Sequence, residues 1–290
     1  MQKIKKFLKN LSKILLPSYD LGFAGKNLSS GKQVFFNEDK VFGIGSVGKI
    51  SIALTLYHLY EQKKIDIEKP IYLDNFFTFD NKNRDAGILK FFPKNQPITL
   101  KLATLLMLSI SDNFATNVVL ETISSDVVNN FMTQLGLKKT KVLVKKIDYE
   151  LFFNADHDFS QSTPKEMLTL MEMIIKGKIL KKESTDQILS FMSMEGAPYR
   201  LARDLPVPKN VFDEKLEIEM LYSKGGTFPR IGTCSDVVVL KTKKRDWIVM
   251  VGFTSRFVKK HKEFHRHTAV DHISSKTLAK VGRLIYNYLK

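Results

Sequence analysis

Cysteine, acidic residues and long uncharged apolar stretches are what this sequence has least of. Cys234 is the single cysteine among 290 residues, which excludes an internal disulfide and any zinc site built from several cysteines. No apolar stretch is long enough and free enough of charge to predict a membrane-spanning helix. The 30 acidic residues stand against 46 basic ones, giving a net charge of +16. Such a surface attracts anionic partners, but no nucleic-acid-binding motif accompanies the lysines, so we expect no nucleic-acid partner.

The N-terminal segment MQKIKKFLKNLSKILLPS is basic and then apolar, as an export signal is. Lys9, Asn10 and Lys13 interrupt its apolar run, so the segment predicts no signal peptide. Its apolar residues follow helical spacing and predict an amphipathic helix. Two uses stay open for this helix: packing against the rest of the protein, or peripheral contact with an anionic membrane or cell-wall surface. The sequence therefore leaves the compartment open between the cytoplasm and the membrane periphery.

Strand-like segments at both ends of the chain bracket a helical middle. Residues 19–24 and 32–37 flank the turn-forming stretch NLSSG and predict a hairpin. Three more strand-like segments follow Glu217, and an amphipathic helix closes the chain. Residues 100–201 have mainly helical periodicity. We therefore predict an α/β fold of the α+β type, in which one antiparallel sheet built from both chain ends is flanked by helices and an all-helical lobe is inserted in the middle.

This organisation predicts one domain that spans residues 1–290. Its sheet lobe would comprise about residues 1–45 and 217–290, and its helical lobe about residues 46–216. A cleft between the two lobes is the natural place for a binding or catalytic site.

The stretch FGIGSVGKISIALTLYHLY places Ser46 and Lys49 three residues apart, where a loop gives way to an apolar helix. The free N–H groups and the dipole of a helix N-terminus stabilise negative charge. A desolvated lysine has a lowered pKa and can take the proton of a serine. The same spacing recurs at two other places, Ser29–Lys32 and Ser162–Lys165. Only the Ser46 pair combines a helix N-terminus with a buried element, which points to a nucleophile and its base; a snorkelling surface lysine is the alternative.

The stretch LSISDNFATN joins two helical segments and contains Ser111, Asp112 and Asn113. Ser111 could pass a proton, and Asn113 could present its amide to a substrate carbonyl. Because serine, aspartate and asparagine all favour the helix N-cap, a purely structural cap is the alternative.

The stretch YSKGGTFPRIG ends a predicted strand with Lys224, followed by Gly225 and Gly226. Glycines let a ligand approach the strand backbone closely, and the lysine can hold an anionic group. A turn between adjacent strands is the alternative. Arg230, a few residues later, either adds charge for an anionic substrate or lies on the surface.

Taken together and in this order, the three motifs resemble those of the penicillin-recognising serine hydrolases, which include the class A β-lactamases and the low-molecular-weight DD-peptidases. The resemblance covers nearly the whole chain. Residues 21–49 look like the opening hairpin and nucleophile helix of the family, residues 107–123 like its second motif, and residues 161–180 like the helix after its ω loop. The resemblance implies a β-lactamase/transpeptidase-like fold and an acyl-enzyme mechanism.

Carried over to the matching positions, the resemblance assigns roles to the first two motifs. Ser46 would be acylated, and Lys49 would be its base or proton relay. Ser111 would shuttle the proton to the leaving nitrogen, and Asn113 would hold the side-chain amide of the substrate.

In the third motif, the resemblance implies that Lys224 attracts the substrate carboxylate. The oxyanion hole would be formed by the backbone N–H groups of Ser46 and Thr227, with Gly226 letting the substrate come close. The family usually has threonine or serine between the lysine and the glycine of this motif, and here that position is Gly225. A hydroxyl for the carboxylate is therefore missing unless Thr227 replaces it.

In the class A enzymes a glutamate of the ω loop activates the hydrolytic water. The comparable stretch KKIDYELFFNADHDFSQSTP lacks the usual glutamate-to-asparagine pattern, so Glu150 is the candidate base, with Asp148 behind it. Both could instead be solvated loop carboxylates. Without a working base the acyl-enzyme would persist, and the protein would be a slow hydrolase or a covalent trap.

The resemblance thus predicts a serine hydrolase that attacks a β-lactam, or a related amide or ester, through an acyl-enzyme on Ser46. A DD-peptidase acting on peptidoglycan stem peptides and a non-catalytic homologue that binds muropeptide or β-lactam are the alternatives. We expect no cofactor and no metal, because the lysine-rich stretch with His261, His265 and His267 predicts a basic surface loop. A small-molecule substrate is the expected partner, and the protein is expected to be a monomer.

Overall fold

The computed structural model of the chain describes residues 4–6, 9–10, 19–73, 87–93, 95–148, 156–193, 200–207, 217–228, 232–256 and 267–290. Within these ranges, no helix combines the length and apolar character needed to cross a membrane. Residues 4–6 and 9–10 of the N-terminal amphipathic segment are helical. Five residues singled out from the sequence lie outside the described ranges: Lys13, Glu150, Arg230, His261 and His265.

A five-stranded antiparallel sheet joins the two ends of the chain, as predicted. The strands of the molecule are β1 (Tyr19–Asn27), β2 (Gln33–Phe36), β3 (Phe42–Gly43), β4 (Pro70–Tyr72), β5 (Pro97–Thr99), β6 (Lys141–Val142), β7 (Ser160–Ser162), β8 (Ile218–Phe228), β9 (Thr233–Thr242) and β10 (Trp247–Arg256). The order in the large sheet is β2-β1-β10-β9-β8. The predicted hairpin is confirmed as β1 paired with β2, and β10 lies between β1 and β9.

Most of the described helices lie between β3 and β8, where the short strands β4 to β7 separate some of them, and one more helix follows β10. They are α1 (Lys49–Glu61), α2 (Leu100–Ser109), α3 (Asn113–Ile123), α4 (Ser125–Gln134), α5 (Pro164–Ile175), α6 (Lys182–Ser193) and α7 (His267–Leu289). The helices α2 to α5 each begin at a side chain that accepts a backbone N–H, in turn Thr99, Asp112, Ser124 and Thr163. Each such cap stabilises its helix by about 1 kcal/mol. Neither α1 nor the turn that precedes it has a side-chain cap of its own.

The large sheet separates two hydrophobic cores, because successive residues of a strand point to opposite faces. On β9, Val237 and Val239 belong to the larger core, whereas Val238 and Leu240 belong to the smaller one. The larger core also contains residues from α1 to α6, and the smaller core contains one face of α7. Ile4 is partly buried against the smaller core, as the packing alternative for the N-terminal helix requires.

A small second sheet, of order β3-β7-β6, carries the chain towards α1. In it Phe42 pairs with Ser162, and Gly43 pairs with Gln161. After β3 the chain makes one 3-10 turn, Gly45–Gly48, and enters α1. The sequence did not predict these strands, since two or three residues are too few for an alternating pattern.

Candidate active site

Ser46 lies in the 3-10 turn Gly45–Gly48 at the entrance of α1. Gly45 has a φ of +50°, a conformation that glycine adopts readily. A Cβ atom on Gly45 would lie 2.7 Å from the backbone nitrogen of Thr227, and one on Gly226 would lie 2.8 Å from the backbone nitrogen of Ser46. The turn and the end of β8 are therefore packed backbone against backbone. This contact brings the first and third sequence motifs together.

Ser235, fully buried on β9, reinforces the contact between the turn and β8. Its hydroxyl donates to the carbonyl oxygen of Ile44 at 2.5 Å and lies 3.2 Å from the carbonyl oxygen of Gly226. Ser235 thus bridges the residue that leads into the turn and the glycine pair of β8. The sequence did not predict this role, because a serine inside a strand carries no local signal of its partner.

Lys49 joins the first motif to the second. Its side chain is 0% exposed. The Nζ atom donates to the carbonyl oxygen of Ser111 at 2.8 Å and to Oδ1 of Asn113 at 2.7 Å, and it lies 3.2 Å from Oγ of Ser111. A buried amine is tolerated only when it is hydrogen-bonded, and these contacts satisfy that condition. The snorkelling alternative is therefore wrong for Lys49.

Ser111 has a φ of +58°, which is unusual for a residue other than glycine. Such a conformation costs on the order of 1–3 kcal/mol and persists only where the surroundings impose it. Here it turns both the carbonyl and the hydroxyl of Ser111 towards Lys49. The strain is therefore located at the point where the two motifs meet.

Asp112, not its neighbours, is the N-cap of α3. Its Oδ1 accepts the N–H of Ala115 at 2.9 Å, while its Oδ2 accepts those of Ile88 at 2.7 Å and Leu89 at 2.8 Å. The structural alternative for the second motif is thus correct for this one residue. The side chains on either side of it, at positions 111 and 113, face Lys49 instead.

Lys224 is the second fully buried lysine, at 0% exposure on β8. Its Nζ lies 3.2 Å from the carbonyl oxygen of Gly225. Because Gly226 has no side chain, the strand backbone two residues after Lys224 lies directly against the Ser46 turn. Two interior lysines close to one turn favour an anionic ligand there.

Arg200, which the sequence did not single out, brings a further positive charge to the third motif. The residue is 8% exposed. Its Nη2 donates to Oγ1 of Thr227 at 2.6 Å, and its Nε donates to Sγ of Cys234 at 3.3 Å. Since Gly225 supplies no hydroxyl, Thr227 and Arg200 are the described groups best placed to bind a carboxylate at this end of β8.

Asp158 is a buried carboxylate behind the Ser46 turn. Its Oδ2 accepts the N–H of Gly45 at 2.9 Å, and its Oδ1 accepts that of Phe159 at 2.7 Å. Burial raises the pKa of Asp158 to about 7, although the hydrogen bonds from Gly45 and Phe159 act in the opposite direction. The carboxyl group therefore titrates near neutral pH.

The segment that was compared with the ω loop runs beside the second motif. Asn113 and Asn117 are four residues apart and share a face of α3. Asn117 accepts the N–H of Ile147 at 2.7 Å and donates to its carbonyl oxygen at 2.6 Å. The half-buried Asp148 follows directly. The other candidate base, Glu150, lies outside the described residues.

A metal site and a large groove would be the alternatives to this site among the described residues. Within the described ranges, no group of three histidine, cysteine, aspartate or glutamate side chains could hold a metal ion. A groove of about 750 Å³ lies between α6 and the strands β8 to β10, lined in part by Tyr222 and Trp247. Its lining includes Tyr222, the first residue of the third-motif stretch, but none of Ser46, Lys49, Ser111, Asn113 and Lys224. Its lysines form ion pairs, Lys182 with Asp186 and Lys241 with Glu219.

Solved structures with the same fold are known. A point mutant of PBP-A in its acyl-enzyme complex with penicillin G has a TM-score of 0.78 at 19% identity, covering 99% of this chain and 96% of that chain. A β-lactamase from Chitinophaga pinensis has a TM-score of 0.80 at 18% identity, covering 99% of this chain and all of that chain (100%). An ancestral class A β-lactamase has a TM-score of 0.78 at 20% identity, covering 98% and 99%. These likenesses confirm the predicted fold.

Sequence comparison gives the family. The chain is 22% identical to β-lactamase BRO-1 of Moraxella catarrhalis over 209 residues, which make up 70% of this chain. The match spans 65% of that relative, less than two thirds of its length. A model of the β-lactamase enzyme family matches residues 3–289. Since that match includes all three motifs, the chain belongs to the β-lactamase enzyme family.

Proposed function

We propose that the protein is a serine hydrolase of the class A β-lactamase type, which opens a β-lactam, or a related amide or ester bearing a carboxylate, through an acyl-enzyme on Ser46. The observation that carries the proposal is the position of Lys49. This lysine is fully buried one helical turn after Ser46, and its amine is held by Ser111 and Asn113. A base fixed in this way is what a serine needs to become a nucleophile.

Acylation would transfer the acyl group from nitrogen to the serine oxygen. Oγ of Ser46 attacks the carbonyl carbon, and its proton passes to Lys49 in the amine form. As the C–N bond breaks, the leaving nitrogen receives a proton through the hydroxyl of Ser111, which lies 3.2 Å from the amine. The chain is then esterified on Ser46, and the ring of the substrate is open.

The negative charge that develops on the carbonyl oxygen would be stabilised by the backbone N–H groups of Ser46 and Thr227. The close packing of Gly45 and Gly226 supports this assignment, because it places the turn and the strand end side by side. One donor of such an oxyanion hole contributes about 3–4 kcal/mol of transition-state stabilisation.

Substrate binding would rest on one amide and three cationic or hydroxyl groups. Asn113 would hold the side-chain amide of the substrate, and Gly226 would let the substrate lie against the strand. Lys224 would attract the carboxylate, with the Arg200–Thr227 pair supplying the hydroxyl contact that Gly225 lacks. The fixed guanidinium of Arg200 suits a carboxylate because its N–H groups can donate two parallel hydrogen bonds.

Deacylation would use Glu150 to activate water. The anchoring of Ile147 to Asn117 supports the proposal, since it fixes the preceding segment beside α3. We expect Glu150→Gln to slow release of the acyl group by about 10²–10⁴-fold, the usual contribution of a general base, while the rate of acylation stays unchanged. Single-turnover labelling followed by chase measures both rates. Equal deacylation rates in the variant and the parent would exclude Glu150 and leave Asp148 to be tested in the same way.

The proposed function is tested with a chromogenic cephalosporin for turnover and a fluorescent penicillin for covalent labelling. The parent protein should show both, and Ser46→Ala should abolish both. Ser29→Ala is the matched control, because Ser29 has the same three-residue spacing to a lysine but is exposed in the β1–β2 turn. Persistent labelling with release of D-alanine from a stem peptide would instead support the DD-peptidase. If neither labelling nor turnover occurs, the enzymatic proposal is wrong.

A further inference from the structure

The nucleophile turn takes its N-terminal cap from a distant part of the chain. The helices α2 to α5 are capped by the residue just before their first turn, whereas Ile44, at that position before the Gly45–Gly48 turn, makes no side-chain cap. A helix start leaves free N–H groups that need an acceptor. Oδ2 of Asp158, 113 residues further along the chain, accepts the first of them from Gly45 at 2.9 Å.

The segment that contains Asp158 binds both backbone polar groups of Gly45, the residue before the nucleophile. Asp158 accepts from the N–H of Gly45, and the hydroxyl of Ser160 donates to its carbonyl oxygen at 2.8 Å. The carbonyl oxygen of Ser160 accepts the N–H of Ile44 at 3.1 Å. Gly45, with its φ of +50°, is thus fixed from one side by this segment, while its other side lies against Thr227.

We propose that Asp158 is a positioning residue, whose carboxylate holds the Gly45 N–H and thereby fixes the turn that presents the Ser46 N–H beside Thr227. This inference rests on the proposed function, because the turn matters only if an oxyanion is bound there. Asp158 itself does not touch the substrate. It acts through the backbone of the turn, and so it should affect every step that passes through the oxyanion hole.

The ionised form of Asp158 makes the stronger contact, since a carboxylate only accepts hydrogen bonds and carries the full charge, whereas a protonated carboxyl accepts more weakly and gives up part of its acceptor capacity to its own O–H. Burial raises the pKa of Asp158 to about 7. The hydrogen bond from the Gly45 N–H should therefore be at full strength above neutral pH and weaken below it. The ionisable residues of its own segment are Asp156 and His157. Of the elements next to the turn, α1 begins with Lys49, and β9 carries Cys234, Asp236 and Lys241. The pKa shift itself comes from burial, which the hydrogen bonds from Gly45 and Phe159 oppose.

The first test needs no substrate. The protein is labelled with 13C-carbonyl isoleucine and 15N-glycine. Only Gly45 and Gly232 directly follow an isoleucine, so only these two glycines give an amide signal correlated with a labelled carbonyl. In Ile44→Val the correlated signal of Gly45 is lost and that of Gly232 remains, which assigns both signals. The Gly45 amide should shift with pH around a midpoint near 7, and the shift should disappear in Asp158→Asn. A Gly45 signal that does not respond to pH in the parent protein would overturn the proposal.

The second test measures acylation and deacylation by fluorescent penicillin. In Asp158→Asn both rates should fall by about 10- to 100-fold, since a displacement of about 1 Å in a reacting group costs about 100-fold. The residual acylation and deacylation rates of this variant should no longer change with pH around 7. Ser160→Ala removes only the hydrogen bond from the Ser160 hydroxyl to Gly45, so both rates should fall by a smaller factor. This variant replaces Asp158→Asn in the test if Asp158→Asn folds poorly.

Thr163→Ala is the control for a merely structural effect, because it removes the cap of α5 and does not touch the turn. It should be destabilised and yet keep the parent rates and pH profile. A loss confined to deacylation in Asp158→Asn would make Asp158 a base and overturn the positioning role, as would unchanged rates. If the parent protein formed no acyl-enzyme, the proposed function would fail, and the Gly45 signal would still decide whether Asp158 holds the turn.

Discussion

The pair Ser46–Lys49 and the pair Ser29–Lys32 have the same residue types at the same spacing but opposite surroundings. Ser29 and Lys32 are exposed in the turn between β1 and β2, and Nζ of Lys32 lies 3.4 Å from the carbonyl oxygen of the last residue. That turn is held locally, by Oδ1 of Asn27, which accepts the N–H of Ser29 at 2.9 Å. Lys49 is fully buried and is held by residues 62 and 64 positions away.

The difference shows that the spacing does not by itself make a nucleophile. What distinguishes the Ser46 pair is desolvation of the lysine together with contacts from four separate parts of the chain. Asp158, Ser235 and the end of β8 hold the turn, and the second motif holds the amine. The exposed Ser29 pair has neither the burial nor these contacts.

Replacing each lysine with methionine tests this comparison most severely. Lys49→Met should lower the acylation rate by about 10²–10⁴-fold, since it removes the base, whereas Lys32→Met should leave the rate unchanged. Labelling by a fluorescent penicillin measures both variants, and circular dichroism checks that both are folded. Equal rates in the two variants would remove the distinction between the pairs.

Arg200 sharpens the comparison, because only the Ser46 turn has a buried guanidinium at the strand end packed against it. Arg200→Ala should raise KM for a β-lactam carboxylate by about 10- to 100-fold, the loss expected for a hydrogen bond to a charged group. An ester without the carboxylate should be hydrolysed at the parent kcat/KM. Arg203→Ala, on the same short segment, is the control. A loss of equal size for both substrates would mean that Arg200 supports the strand end and not the carboxylate.

The last difference between the two turns concerns the stability of the protein. Because the pKa of Asp158 is raised to about 7 in the folded state, the folded protein binds its proton more tightly than the unfolded chain does. The free energy of unfolding should therefore fall as pH rises from about 4 to 7, by up to about 1.4 kcal/mol per pH unit from this group, and level off above.

Urea unfolding of the parent protein and of Asp158→Asn between pH 5 and 8 measures this contribution as the difference between the two curves. A difference that does not change with pH would show that Asp158 does not titrate in this window. The ionised carboxylate of Asp158 thus holds the Ser46 turn at a cost in stability. The Ser29 turn has no such cost, because the neutral side chain of Asn27 holds it.

Local patterns predicted the elements and most of the candidate site residues. Periodicity placed the β1–β2 hairpin, the strands after Glu217 and the helices of the middle, because amphipathic alternation is a property of consecutive residues. The short strands β3 and β7 were not predicted, since pairs of two or three residues leave no pattern. The N-cap candidates of the second motif could be listed from the sequence, but which of positions 111 to 113 is the cap depended on the geometry of the loop.

By itself, the sequence determined which segments become the strands of the large sheet and the helices of the middle, that three short motifs occur in one order, and that Ser46 opens a buried helix. Only the tertiary structure decided that Lys49 points to Ser111, that Gly45 lies against Thr227, and that Arg200 and Asp158 join them. The physical reason is the range of the interactions. Helix and strand preferences act over a few residues, whereas a buried hydrogen bond between positions 45 and 158 exists only once the intervening chain has packed.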